Sequence, residues 1–256
     1  MRIIKHILIW LGITGYLIVV LAFVGKEQGS ILCRKITVHI HDSLEVGFVN
    51  QEQVMKIIHP DPATLLGKPV QSINISALED KLHKIRAVRT AEVYYDVEGH
   101  LSVDITQRKP VVRVIDLTER SYCIDKEGYL VPLNGQYVPH LLIVNGNIPA
   151  IDRDAGHIDD LGDNRIIKDI FRLTSHLNED TFFQAQIVQV YVNSKNEFEL
   201  IPRVGSHVIH LGGMDDFEAR LDNLRKLYNQ GFSTVGWNQF ETINLKYENQ
   251  VVCTKR

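Results

Sequence analysis

Eleven histidines and a few adjacent acids are the residues in this 256-residue chain that most invite reaction chemistry. His39 and His41 stand two apart, a spacing that projects both imidazoles from one face of a strand, and neutral imidazole is a common metal ligand. A zinc centre needs three or four ligands and a supporting layer of hydrogen bonds, yet no cysteine or carboxylate cluster accompanies this pair. The two read as surface histidines. Asp159 with Asp160, and Glu179 with Asp180, are neighbouring acids in polar surroundings. Acid and base work on a glycan needs one carboxyl raised by an apolar pocket and another left ionised, and nothing nearby supplies that pocket. Gly212 and Gly213 follow a leucine and precede a helix, which marks them as turn formers and not as a phosphate cradle. Neither a G-x-S-x-G elbow nor an S-x-x-K motif is present. Cys33, Cys123 and Cys253 form neither a disulfide framework nor a metal spacing, and a bridge between the last two is left open. The expectation is a binding protein with no catalytic residue, no cofactor and no metal.

Those side chains hang on an asymmetric chain. Ile7 to Val24, ILIWLGITGYLIVVLAFV, is the longest apolar run, and the chain beyond Lys26 is water-soluble in character. As a helix rising ~1.5 Å per residue the run reaches roughly 27 Å, near the ~30 Å hydrocarbon core. Trp10 and Tyr16 carry polar handles that bilayer interfaces tolerate. A cleaved signal peptide is disfavoured, because Phe23 and Val24 stand where peptidase needs small residues. Bulky Leu32 before Cys33 speaks equally against a lipoprotein signal. Ile7, Trp10, Tyr16 and Val24 are therefore expected in a transmembrane anchor over 7–24, behind a short tail of residues 1–6. Arg2 and Lys5 balance Lys26, Arg34 and Lys35, so charge leaves the orientation open. The whole chain is 45% hydrophobic and 23% charged with a formal net charge of −3. Its charges are interspersed, which excludes a nucleic-acid backbone binder.

The segment 34–107 has the periodicities of a small mixed module. Ile36, Val38 and Ile40 alternate with Thr37, His39 and His41 as in a half-buried strand. A helix comes next, capped by Asn50 with Gln53 and striped by Val54, Ile57 and Ile58. A second helix is expected from the S-x-x-E pair Ser76 and Glu79, with Leu78, Leu82 and Ile85 on one side. Ala91, Val93 and Tyr95, then Leu101, Val103 and Ile105, supply two strands around a turn through Asp96 to Gly99. The order is β-α-α-β-β.

From 108 to 256 short strand-like runs dominate, ending with Ile243 to Tyr247 and Val251 to Cys253 as a terminal hairpin. Two helices interrupt them, one striped by Ile166, Ile167, Ile170, Phe171, Thr174 and Leu177, the other by Phe217, Leu221, Leu224 and Tyr228. Asp215 and Asp216 open the second helix, Arg225 and Lys226 close it and Gly231 stops it, so its ends complement the macrodipole.

An anchor followed by β-α-α-β-β resembles the organisation of a POTRA domain, and the motifs go further. SINISALEDKLHKIRAVRTAEVYYDVEGHLSVDITQRKPVVRV is similar to a segment of the FtsQ/DivIB family of bacterial cell-division proteins, through Val88, Ala91 and Val93, then Leu101, Val103 and Ile105, then Gln107, Arg108, Pro110 and Val111. YCIDKEGYLVPL, VGSHVIHLGGMDDFEARLDNLRKLY and INLKYENQVVC continue the likeness. The hairpin Tyr94-Tyr95-Asp96-Val97-Glu98 departs from relatives that carry Arg and a Trp-Pro pair there. The resemblance implies an α+β fold: an N-terminal transmembrane helix, a POTRA domain, then a strand-rich α+β domain ending in a β-hairpin. It also implies a cytoplasmic N-terminus, a periplasmic bulk in the cell inner membrane at the division septum, and recruitment of FtsB and FtsL by strand addition. Leu245, Tyr247, Val251, Val252 and Cys253, at the sheet edge that such a hairpin offers, are the expected partner-binding residues. The alternative is an envelope assembly factor of POTRA type, disfavoured by the single POTRA copy and the absence of a barrel.

Overall fold

The computed structural model describes residues 6, 10–20, 31–41, 47–58, 65–133, 140–152, 155–232, 236–247 and 250–256. Two compact units divide at Gln107 and Arg108. Residues 10–20 are helical, with Trp10 and Tyr16 largely exposed. Among the described residues no helix is long and apolar enough to cross a membrane. Ile7 and Val24, the ends of the expected anchor, lie outside the described residues.

In the first unit β1 (Lys35–His41), α1 (Gln51–Ile58), α2 (Ile75–His83), β2 (Val88–Tyr95) and β3 (His100–Gln107) succeed one another in that order. The sheet runs β1-β3-β2, with β1 parallel and β2 antiparallel to the central β3. The start of α1 is a reciprocal capping box: the Gln53 amide donates to Asn50 Oδ1 at 2.8 Å and the Asn50 amide to Gln53 Oε1 at 3.2 Å. Its buried side, Val54 and Ile58, and that of α2, Leu78 and Leu82, belong to a core shared with Val93, Leu101, Val103 and Ile105. Each such side chain contributes about 1.5–3 kcal/mol when fully withdrawn from water. The Ser76–Glu79 capping box does not form. Asn74 caps α2 instead, accepting from the Ala77 amide at 3.0 Å, because Glu79 is engaged by the Val93 amide of β2 at 2.9 Å.

The second unit is one nine-stranded sheet carrying helices against a face. Its strands are β4 (Pro110–Ile115), β5 (Ser121–Asp125), β6 (Leu130–Pro132), β7 (Leu142–Gly146), β8 (Ile187–Val192), β9 (Phe198–Pro202), β10 (Val208–Gly212), β11 (Phe240–Asn244) and β12 (Val252–Lys255). They lie in the order β12-β11-β10-β9-β8-β7-β4-β5-β6. The helices are α3 (Arg165–Glu179), α4 (Thr181–Gln186) and α5 (Phe217–Lys226). Ile167, Ile170 and Leu173 of α3 and Phe217, Leu221 and Leu224 of α5 pack with Val114, Val144, Val190, Leu200, Ile209 and Ile243 of the strands. The short α4 has too few turns to show a stripe; Asp180 caps it, accepting from the Phe182 amide at 2.9 Å, and pairs with Arg225 from α5. Burial alone would raise the Asp180 carboxyl, but the Arg225 hydrogen bond and the Phe182 and Phe183 amides outweigh it and hold it below the usual carboxylate range. All three cysteines are free. β5 and β12 stand seven strands apart, roughly 34 Å at ~4.8 Å per strand, so Cys123 and Cys253 have no geometry for a bridge.

Four turns share one scaffold: Asp96 to His100, Asp116 to Arg120, Asp125 to Tyr129 and Asn193 to Glu197. In each, the first residue's side chain accepts from the amides two and four positions on, at 2.8–3.1 Å. Its own amide bonds the fifth residue's carbonyl, and the fourth residue takes a positive φ: Gly99, Glu119, Gly128 and Asn196. The Asp-x-x-Gly of the YCIDKEGYLVPL motif is therefore architectural, and Arg108 completes it by pairing with Asp125 at 2.9 Å.

Candidate functional site

The chain ends on a sheet edge. β12 pairs with β11 alone, and among the described residues no strand lies on its outer side. β10 and β11 run parallel in the register Val208 to Thr242 and Ile209 to Ile243, so β11 occupies Phe240–Asn244 and not Ile243 to Tyr247. The expected hairpin is thus displaced at both strands. Asn244 Oδ1 accepts from the Lys246 amide at 3.0 Å, which turns the chain out of the ladder just after Leu245. Leu245 is 2% exposed and its amide bonds His210 O at 3.0 Å; its role is packing beneath the edge. Tyr247, expected to share a face with Ile243 and Leu245 and to contact a partner, is 51% exposed, and that turn carries it out of the ladder.

The return strand begins at Val252, leaving Val251 just ahead of it. Cys253 lies opposite the fully buried Ile243, and both Val251 and Cys253 are partly buried against the core. Burial pushes the Cys253 thiol up, which keeps it protonated. Val252 lies opposite Asn244 on the other face and is 41% exposed. It ends a row of aligned residues running Tyr191, Glu199, His210, Asn244, Val252 across five strands, in which His210 Nδ1 lies 3.4 Å from Glu199. The Arg256 amide donates to Gln239 O. Backbone groups alternate sides along a strand, so those of Thr254 and Val252 face β11 while those of Cys253 and Lys255 face outward.

The support beneath this edge is an aromatic cluster that sequence periodicity did not reveal. Tyr228, Phe232, Trp237 and Phe240 meet at centroid distances of 4.9–5.8 Å, and Tyr228 shares a 2.8 Å hydrogen bond with the buried His207. Burial holds His207 below its ordinary value and therefore neutral. Lys246 Nζ contacts both Glu197 oxygens at 3.0 Å, and its stem lies over Gly212, where a Cβ would come within 2.9 Å of Lys246 Cγ. That ion pair holds Glu197 below its usual range. Gly212 takes a left-handed turn conformation.

The small sheet treats its edges differently. On β2 the Val93 amide is taken by Glu79 at 2.9 Å, and on β1 the Val38 carbonyl accepts from Gln51 Nε2 at 3.0 Å. Both are central positions of edge strands, so each edge has a side chain where a visiting strand would bond. The other candidates resolve into architecture. His39 and His41 are exposed on or beside the solvent face of β1 and belong, among the described residues, to no group of three close ligands. Asp160 accepts the Gly156 and His157 amides, and Asp180 caps α4.

A small mixed module thus precedes a strand-rich unit in which, among the described residues, the outer side of β12 is unpaired. Residues 31–106 match the POTRA-like domain, and residues 109–254 match the FtsQ/DivIB C-terminal-related family. The chain belongs to the FtsQ/DivIB family. No curated protein matches it. The family is one of non-catalytic division scaffolds, which accords with a site made of backbone edge and apolar side chains.

Proposed function

We propose that this protein is a membrane-anchored scaffold of the division septum that captures FtsB/FtsL-type partners by adding one of their strands to the outer side of β12. The observation that carries this is the contrast between edges: β12 offers the outward backbone groups of Cys253 and Lys255 and has exposed Val252 on it, with exposed Tyr247 following β11, while each edge of the POTRA sheet has a central backbone group taken by a side chain. Val252 and Tyr247 supply contact area, Val251 and Cys253 extend it, and Leu245 supports it from below. The same proposal places residues 7–24 in the inner membrane with residues 34–107 and 108–256 in the periplasm. A POTRA-type chaperone would use the β2 edge, and Glu79 on the Val93 amide stands against that reading.

A photo-crosslinking residue at Val252, expressed in dividing cells, is expected to capture an FtsB-like protein, while the same residue at Glu92 of β2 captures none. Crosslinking from Glu92 with silence at Val252 would transfer the binding role to the first unit.

A further inference from the structure

The turn between β2 and β3 carries a ligand set that its own architecture does not require. Asp96, Glu98 and His100 present two carboxylates and an imidazole whose ligand atoms all lie within 4.8 Å of one another. His100 Nδ1 is 3.0 Å from Asp96 Oδ2 and 3.8 Å from Glu98 Oε2. Two ligands bound about 2.1 Å from one ion are separated by roughly 3.0–3.5 Å at octahedral or tetrahedral angles, so modest side-chain movement brings the three onto a single centre. The turn itself uses only Asp96 Oδ1, which accepts the Glu98 and His100 amides at 2.9 Å and leaves Oδ2 toward the imidazole.

The three sister turns are an internal control. They place Thr118 and Arg120, Glu127 and Tyr129, and Lys195 and Glu197 where this one has Glu98 and His100, and none of them carries a histidine in the turn. The scaffold therefore closes without this donor set. It is also fixed in place: Gly99 O accepts from the Arg34 amide at 2.9 Å, and a Cβ on Gly99 would stand 2.1 Å from Leu32 O. Ligands on a fixed backbone lose little freedom on binding. A cleft of about 440 Å³ lined by Ile31, Leu32, Arg34, Val97, Glu98 and His100 opens beside them, with room for the waters that complete an ion's coordination. Its wall holds the Glu98 carboxylate and the Arg34 guanidinium, and Asp96 adds a second carboxylate beside it. Imidazole beside carboxylate suits borderline ions such as Zn²⁺, whereas Mg²⁺ and Ca²⁺ take oxygen alone.

We propose that Asp96, Glu98 and His100 form a binding site for one divalent transition-metal ion of the zinc class. The test is equilibrium dialysis of the full chain in detergent against ZnCl₂, with bound metal counted per chain. One Zn²⁺ is expected to bind, to survive His39→Gln with His41→Gln, and to weaken at least tenfold in His100→Gln and in Asp96→Asn, whose amide oxygen still closes the turn. Thermal melts without metal establish that the variants fold. Equal Zn²⁺ uptake by wild type, Asp96→Asn and His100→Gln, or no saturable uptake by the wild type, would overturn the site and leaves the β12 reading untouched.

Discussion

Lys255→Pro is expected to abolish partner capture while leaving the fold intact. The Lys255 amide faces away from β11, so proline removes no ladder hydrogen bond of this chain, and proline is tolerated on edge strands in that orientation. For an incoming strand the change removes a donor, each backbone bond being worth about 0.5–1.5 kcal/mol net, and sets a ring where a neighbour must approach to ~4.8 Å. Binding of soluble FtsB/FtsL-type segments should fall by at least about tenfold. Lys255→Ala, which keeps the amide, should bind within roughly twofold of wild type. Equal loss in the two variants would assign the effect to the Lys255 charge and contradict backbone capture.

Gly146→Ala should produce the largest loss of stability in the second unit. Gly146 ends β7 at φ +109 in register with Val192 of β8, and an added Cβ would stand 2.2 Å from Val192 O. The methyl meets backbone on both counts, since the Asn147 amide also bonds Val192 O at 2.7 Å. A left-handed penalty of about 1–2 kcal/mol adds to separation of β7 from β8, so a loss of about 3 kcal/mol or more is expected, roughly 10 °C in the melting of this unit. Gly213→Ala is the control: no atom lies within 4 Å of its Cβ and its φ is not left-handed, so calorimetry should find it close to neutral. Comparable melts for the two variants would show that the β7–β8 contact does not limit the sheet.

Local signals and long-range ones were unequally legible. The Asn50–Gln53 cap and the alternation of Leu101, Val103 and Ile105 depend on near neighbours, and such local signals give the order of elements in the first unit. Glu79 shows where such reasoning stops, since its spacing from Ser76 satisfies a helix cap but an amide fourteen residues away takes the carboxylate. The Asp180–Arg225 pair that steadies α4 spans 45 residues and leaves no periodic trace. At the candidate site the apolar residues were readable, but their placement was not. Parallel pairing with β10 sets the register of β11, and the Asn244 side chain turns the chain early, so Tyr247 is exposed but lies beyond the strand that alternation had it ending.

Hydrogen exchange of the full chain with and without a periplasmic FtsB/FtsL-type segment tests strand capture most directly. New protection of the Cys253 and Lys255 amides, with β2 unchanged, is the predicted result. Protection confined to the amides of β2, or a bound complex in which Cys253 and Lys255 exchange as fast as in the free protein, would contradict it.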